Sequence, residues 1–154
     1  MRRLILAGLF AAALSGCATP TERPDRAMRW GVSANADEGA KLVLGVPDTD
    51  DVRMMLTCRP RSGQVNVTIV GRRGDPAAVE LQSGKIVGRY AGAGHADEET
   101  LGAMDIAFSA PASDPLLTHL ADTGDLTIVF PTRRIVLPNA FAEAHDFLRL
   151  CRAR

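Results

Sequence analysis

The chain has 154 residues, 46% of them hydrophobic, with 18 basic and 18 acidic side chains. That apolar content suits one buried core and argues against a disordered chain, and the length is too short for two ordinary domains. The charge balance argues against a dedicated nucleic-acid binder, and no Cys or His sits at zinc-ligand spacing from another.

Met1-Arg2-Arg3 is a positively charged start. Leu4 to Leu14 is an apolar run, and Ser15-Gly16 supplies small residues before Cys17. Charge, apolar run and small residues in that order make a secretory signal, and the run is too short to span a bilayer as a helix. Leu14-Ser15-Gly16-Cys17 resembles the lipobox of bacterial lipoproteins, over the first 17 residues only. The resemblance implies that residues 1–16 are removed and that Cys17 is acylated and becomes the mature N-terminus. One acyl chain gives only marginal membrane binding, so a stable anchor takes two or more. In Gram-negative bacteria an Asp after the lipobox Cys tends to retain the protein at the inner membrane. Ala18 and Thr19 stand there, so the resemblance implies an outer-membrane anchor with the domain facing the periplasm. Without Arg2 and Arg3 there are 16 basic against 18 acidic groups, a net charge of −2.

Residues 17–27 hold two prolines, charges and hydroxyls with no apolar period, and read as a lipidated tether. Residues 28–154 read as a single β-rich domain. Met28 to Ala34 is a first strand, with Met28, Trp30 and Val32 on one face, and Ala40 to Val46 a second. Val52 to Arg59 alternates, with Val52, Met54, Leu56 and Cys58 on the inward side. Gln64 to Val70 alternates too, with Val65, Val67 and Ile69 inward. Pro60-Arg61-Ser62-Gly63 joins these two runs as a hairpin. Ala77 to Gln82 and Lys85 to Tyr90 are weaker strands around a Ser83-Gly84 turn. Residues 91–100 read as a mobile loop, and Leu101 to Ala110 as a strand with Met104, Ile106 and Phe108 on one face.

Asp114-Pro115 opens a short helix, with Asp as N-cap and Pro at the first helical position. Leu116, Leu117 and Leu120 form its apolar side, and Gly124 ends it. Leu126 to Phe130 and Arg133 to Leu137 form a second hairpin. Pro138-Asn139 stops that strand and caps the last helix, Ala140 to Arg152. Phe141, Ala144, Leu148 and Cys151 share one helical face, flanked by Phe147. The fold class is therefore α+β: an antiparallel sheet or sandwich of about seven to nine strands with a short internal helix and a C-terminal helix. With Cys17 lipidated, as the resemblance implies, Cys58 and Cys151 are the only pair left for a disulfide in an oxidising compartment. Both fall on inward faces, which supports a bridge tying the last helix to the sheet.

Few residues offer chemistry. His95 lies beside Asp97, Glu98 and Glu99 in a glycine-rich loop and reads as solvated. His119 and His145 read as surface residues. No Gly-x-Ser-x-Gly, Ser-x-x-Lys or phosphate-loop pattern is present, so no catalytic residue, metal or cofactor is expected. Arg59, Arg61, Arg72 and Arg73 flank one strand. Gathered together, they would suit an anion such as a lipid A phosphate or a peptidoglycan carboxylate. Ser83-Gly84-Lys85 with Tyr90 faintly resembles the Ser-Gly-x-x-Tyr element of bacterial lysozyme inhibitors, with longer spacing. The expected role is non-enzymatic: binding or supporting another envelope protein, peptidoglycan or lipopolysaccharide. Inhibition of a secreted hydrolase such as lysozyme is the alternative, and a small envelope enzyme the third.

Overall fold

The computed structural model describes residues 19–96 and 102–153. Among them are eleven strands and two helices: β1 (Thr21–Glu22), β2 (Arg29–Asn35), β3 (Gly39–Gly45), β4 (Val52–Cys58), β5 (Gln64–Arg72), β6 (Ala78–Ser83), β7 (Ile86–Ala91), β8 (Ala93–Ala96), β9 (Ala103–Pro111), α1 (Pro115–Thr123), β10 (Thr127–Phe130), β11 (Arg133–Val136) and α2 (Phe141–Cys151). The class is α+β, as the alternating segments require. The best-patterned strands behave as read. Met54, Leu56 and Cys58 of β4 and Val65, Val67 and Ile69 of β5 are buried. The register Met54↔Ile69 and Leu56↔Val67 aligns the two apolar sets. A slip of one residue would turn either set to solvent, so burial specifies the pairing.

The strands form a five-stranded sheet, order β1-β11-β10-β6-β7, and a six-stranded sheet, order β2-β3-β4-β5-β9-β8. Only β1 with β11 is parallel. β7 and β8 are one run of chain interrupted at Gly92, where the strand leaves one sheet and enters the other. A Cβ at Gly92 would lie 2.8 Å from the Ala77 carbonyl oxygen and 3.0 Å from that of Ala107. The corner has room for glycine alone. Tyr90 of β7 and Phe108 of β9 stack across it, ring centroids 4.4 Å apart. Buried side chains of both sheets and both helices make one core.

Three expectations on strands change. β8 occupies residues 93–96, within the expected mobile loop. Ala-Gly-His-Ala has no apolar alternation and all four residues are exposed, so backbone pairing with β9 alone holds it. β1 falls within the expected tether, where Thr21 and Glu22 pair with Arg134 and Ile135. Two residues are too few to show a period. The strands accordingly number eleven rather than seven to nine.

Asp114 caps α1, its Oδ1 accepting from the Leu116 and Leu117 amides at 2.8 and 3.4 Å. Leu116, Leu117, Leu120 and Ala121 are buried against the core. A helix of this length does not persist alone, and each buried leucine contributes about 1.5–3 kcal/mol, so docking holds it. In α2 the buried stripe is Ala144, Phe147, Leu148 and Cys151, continued by Ala140. Phe141, expected inward, is 53% exposed. Ala140, four residues before Ala144, continues the stripe, and Phe141 lies one residue off it. Asn139 stands one position outside the helix cap, Ala140. Its Oδ1 accepts from the Phe141 amide at 3.1 Å, while its Nδ2 donates to the Thr123 carbonyl at 2.8 Å.

Cys58 and Cys151 form the disulfide, Cα atoms 5.7 Å apart. The β4–β5 turn reinforces it: the Arg61 and Gly63 amides donate to the carbonyls of Leu150 and Cys151 at 2.8 and 2.9 Å. These satisfy acceptors that the last turn of a helix leaves free.

Candidate functional site

A depression of about 640 Å³ lies on the outer face of the five-stranded sheet. Outward positions on β6, β7 and β10 are small or apolar here: Ala78, Ala91 and Val129. Pro76 and Pro131 line it from the adjoining turns. Glu80 and Arg89, also in the lining, form a cross-strand ion pair at 2.9 Å. Both charges are substantially exposed, and such pairs contribute little to stability. An open apolar surface bordered by one ion pair suits an apolar or amphipathic partner.

On the inner side of the same strands lie two polar contacts to α1. The Tyr90 hydroxyl donates to Asp114 Oδ1 at 3.0 Å. Partial burial, then the Asp114 charge and this bond, push the phenol well above its ordinary value. Ser83 Oγ lies 2.8 Å from His119 Nδ1, and Thr123 Oγ1 lies 3.4 Å from the same atom. His119 is thus half-buried over the β6–β7 turn rather than on the surface. A Cβ at Gly84 would approach its Cε1 to 2.8 Å. A serine beside a histidine is the start of a nucleophile–base pair, but Ser83 is 0% exposed. No substrate carbonyl can reach its hydroxyl without the hairpin opening, so the bond fastens the turn to α1. Ser83 and Tyr90 both turn inward from a tight hairpin. The residues that resemble an inhibitor element therefore form no protruding loop.

The four arginines are not brought together. Arg59 and Arg61 sit at the α2 end of β5. Arg72 and Arg73 sit at the other, about 26 Å away for a nine-residue strand. All four are exposed. Arg72 pairs with Glu22 at 3.1 Å. His95, in β8, lies across from Asp105 and is exposed, as is His145. Cys17 and the carboxylates Asp97, Glu98 and Glu99 lie outside the described residues.

The charged group that sequence reading missed is Arg133. It is 4% exposed. Its guanidinium donates to both Asp75 oxygens, at 2.8 and 2.5 Å, and lies over the Phe130 ring at 4.5 Å. Asp75 Oδ2 also accepts the Arg72 amide at 2.7 Å, and Glu22 lies 3.6 Å from Arg133 Nε. A signal existed: Arg133 shares strand parity with the apolar residues Ile135 and Leu137, which are buried. No family model matches the chain, and no curated protein or solved structure is significantly similar to it.

Proposed function

We propose that this protein is an outer-membrane lipoprotein, held by acylated Cys17 with its domain facing the periplasm. Its role is non-enzymatic: it binds or supports another envelope protein, peptidoglycan or lipopolysaccharide. The observation that carries the reading is Leu14-Ser15-Gly16-Cys17 placed directly after a basic start and an apolar run. The cysteine count supports it. Of three cysteines, Cys58 and Cys151 bond to each other, which leaves Cys17 for acylation. The apolar depression around Ala78 and Val129 is the surface offered to a protein partner. The two separated arginine pairs are the surfaces offered to anionic material.

Cys17→Ser tests the anchor. Lipid labelling should disappear, with unprocessed precursor or soluble protein accumulating. Unchanged membrane fractionation of that variant would overturn the proposal.

A further inference from the structure

β2 ends the strand order of the six-stranded sheet, and only β3 pairs with it. Among the described residues, no backbone group of Trp30 to Asn35 bonds anything beyond β3. Alternate amides and carbonyls of a seven-residue strand therefore stand open along its other side. Natural edges are guarded by proline, inward charge, a bulge or very short length. Here Gly31 to Ala34 carries no charge and no proline, and its register with β3 is regular. Val32, on the same face as buried Trp30, is 38% exposed.

The charges around this edge are polarised. Arg23, Arg26 and Arg29 lie at its start with one acid, Asp25, and none of the three has a carboxylate within 4.0 Å among the described residues. Asp37 and Glu38 lie in the turn at its far end. Lys41 of β3 pairs with Glu38 at 3.1 Å and Arg59 lies beside the turn, so Asp37 is the acid of that turn with no cation within 4.0 Å among the described residues. A strand positive at one end and negative at the other complements an antiparallel copy of itself.

We propose that β2 is the docking edge for a second copy of this chain, paired antiparallel about a two-fold axis at Val32. That register sets Val32 against its twin, Gly31 against Ser33 and Arg29 against Asn35. The basic entry of each copy then faces the acidic turn of the other. The two six-stranded sheets join into one, and Val32 gains cover from an identical side chain. The interface is isologous and closes at two copies. It is small, in the weak and transient class, with a dissociation constant of roughly micromolar order. It stands independently of the anchor proposed above.

Cysteine scanning of the full chain in mild detergent tests it. Directly paired strand residues have Cβ atoms close enough for a disulfide. Under mild oxidation Val32→Cys should give at least roughly fivefold more covalent dimer than Ser33→Cys or Val87→Cys, whose twins are not opposed. The parent chain reports any cross-linking through its own cysteines. Equal yields from the three variants would overturn the proposal. Arg26 falls beside Asp37 of the other copy in this register, so Arg26→Glu should weaken association about tenfold at low salt, and Arg26→Glu with Asp37→Arg should restore it. No rescue would overturn the antiparallel register. Amide exchange of the unmodified protein guards against misfolded variants: protection along β2 should rise with protein concentration. Protection of β2 that is independent of concentration, or conferred only by added envelope extract, would overturn self-pairing in favour of another occupant.

Discussion

The two ends of β5 are closed by different chemistry. At the Gln64 end the closure is covalent: the Cys58–Cys151 bond joins α2 to β4, and turn amides bond the carbonyls of Leu150 and Cys151. At the Arg72 end it is ionic: Arg133 grips Asp75, and Glu22 draws β1 toward Arg72 and Arg133. The covalent closure spans 93 residues of sequence. In the chain-entropy model such a loop is worth about 4–5 kcal/mol, mostly through the unfolded chain. The ionic closure works in the folded state and its central pair needs both partners, because the Arg133 and Asp75 side chains are only 5% and 8% exposed. A terminal helix with an apolar stripe docks anyway and is secured by one bond. A two-residue strand has no stripe to bury, so charge and backbone pairing must place it.

Removing one partner of the ionic end should have the largest effect. Arg133→Ala leaves the Asp75 carboxylate, 8% exposed, without its cation. The loss should be about 3–5 kcal/mol, read by denaturant unfolding. Exchange protection should fall first at β1, β11 and the turn at residues 73–76. A loss confined to a few tenths of a kcal/mol would mean that water already reaches Asp75. Next comes the covalent end. Cys151→Ala should cost about 2–5 kcal/mol and loosen α2 first, with β1 unchanged. The two substitutions share no contacts, so their costs should add to within about 0.5 kcal/mol. Marked coupling would collapse the comparison into one cooperative network.

The smallest effect falls between the two ends, at Tyr90, the only tyrosine. Its folded pKa is raised above the ordinary value of 10.0 by partial burial, and the Asp114 charge and hydrogen bond add to the shift. The stability that this shift represents is complete below that ordinary value. It declines as pH rises above it, where the unfolded chain ionises and the folded one does not. Tyrosinate absorbance should therefore appear together with unfolding, not before it. Tyr90→Phe should remove the decline and cost about 1 kcal/mol at neutral pH for the lost bond. An ionisation step near 10 in protein that is still folded would refute the burial of the phenol.

Legibility followed the range of each signal. The hairpin of β4 and β5 was readable because two long alternating runs stand beside a turn. Asp114-Pro115 gave the start of α1, and Asp114 does bond the amides of its first turn. The Cys58–Cys151 pair needed only inward parity in two elements and the removal of one competitor. Arg133, Ser83 and His119 escaped because burial of a polar side chain depends on a partner far along the chain. Asp75 is 58 residues from Arg133, and Ser83 is 36 from His119. Phe141 was misplaced because Ala140 continues the stripe equally well in helical spacing.

The sequence by itself determined the longer strands and both helices, the apolar face of the best-patterned strands, and the inward places of Cys58 and Cys151. These follow from local periodicity. Only the tertiary structure decided that the strands divide between two sheets, that the chain turns the corner at Gly92, and that Thr21–Glu22 and Ala93–Ala96 pair at all. It also decided that four arginines lie at opposite ends of a strand and that, among the described residues, only β3 pairs with β2. The physical reason is that a side-chain period reports which face is buried. Strand order and edge pairing are set by backbone groups common to every residue, and those choose partners only when the whole core has assembled.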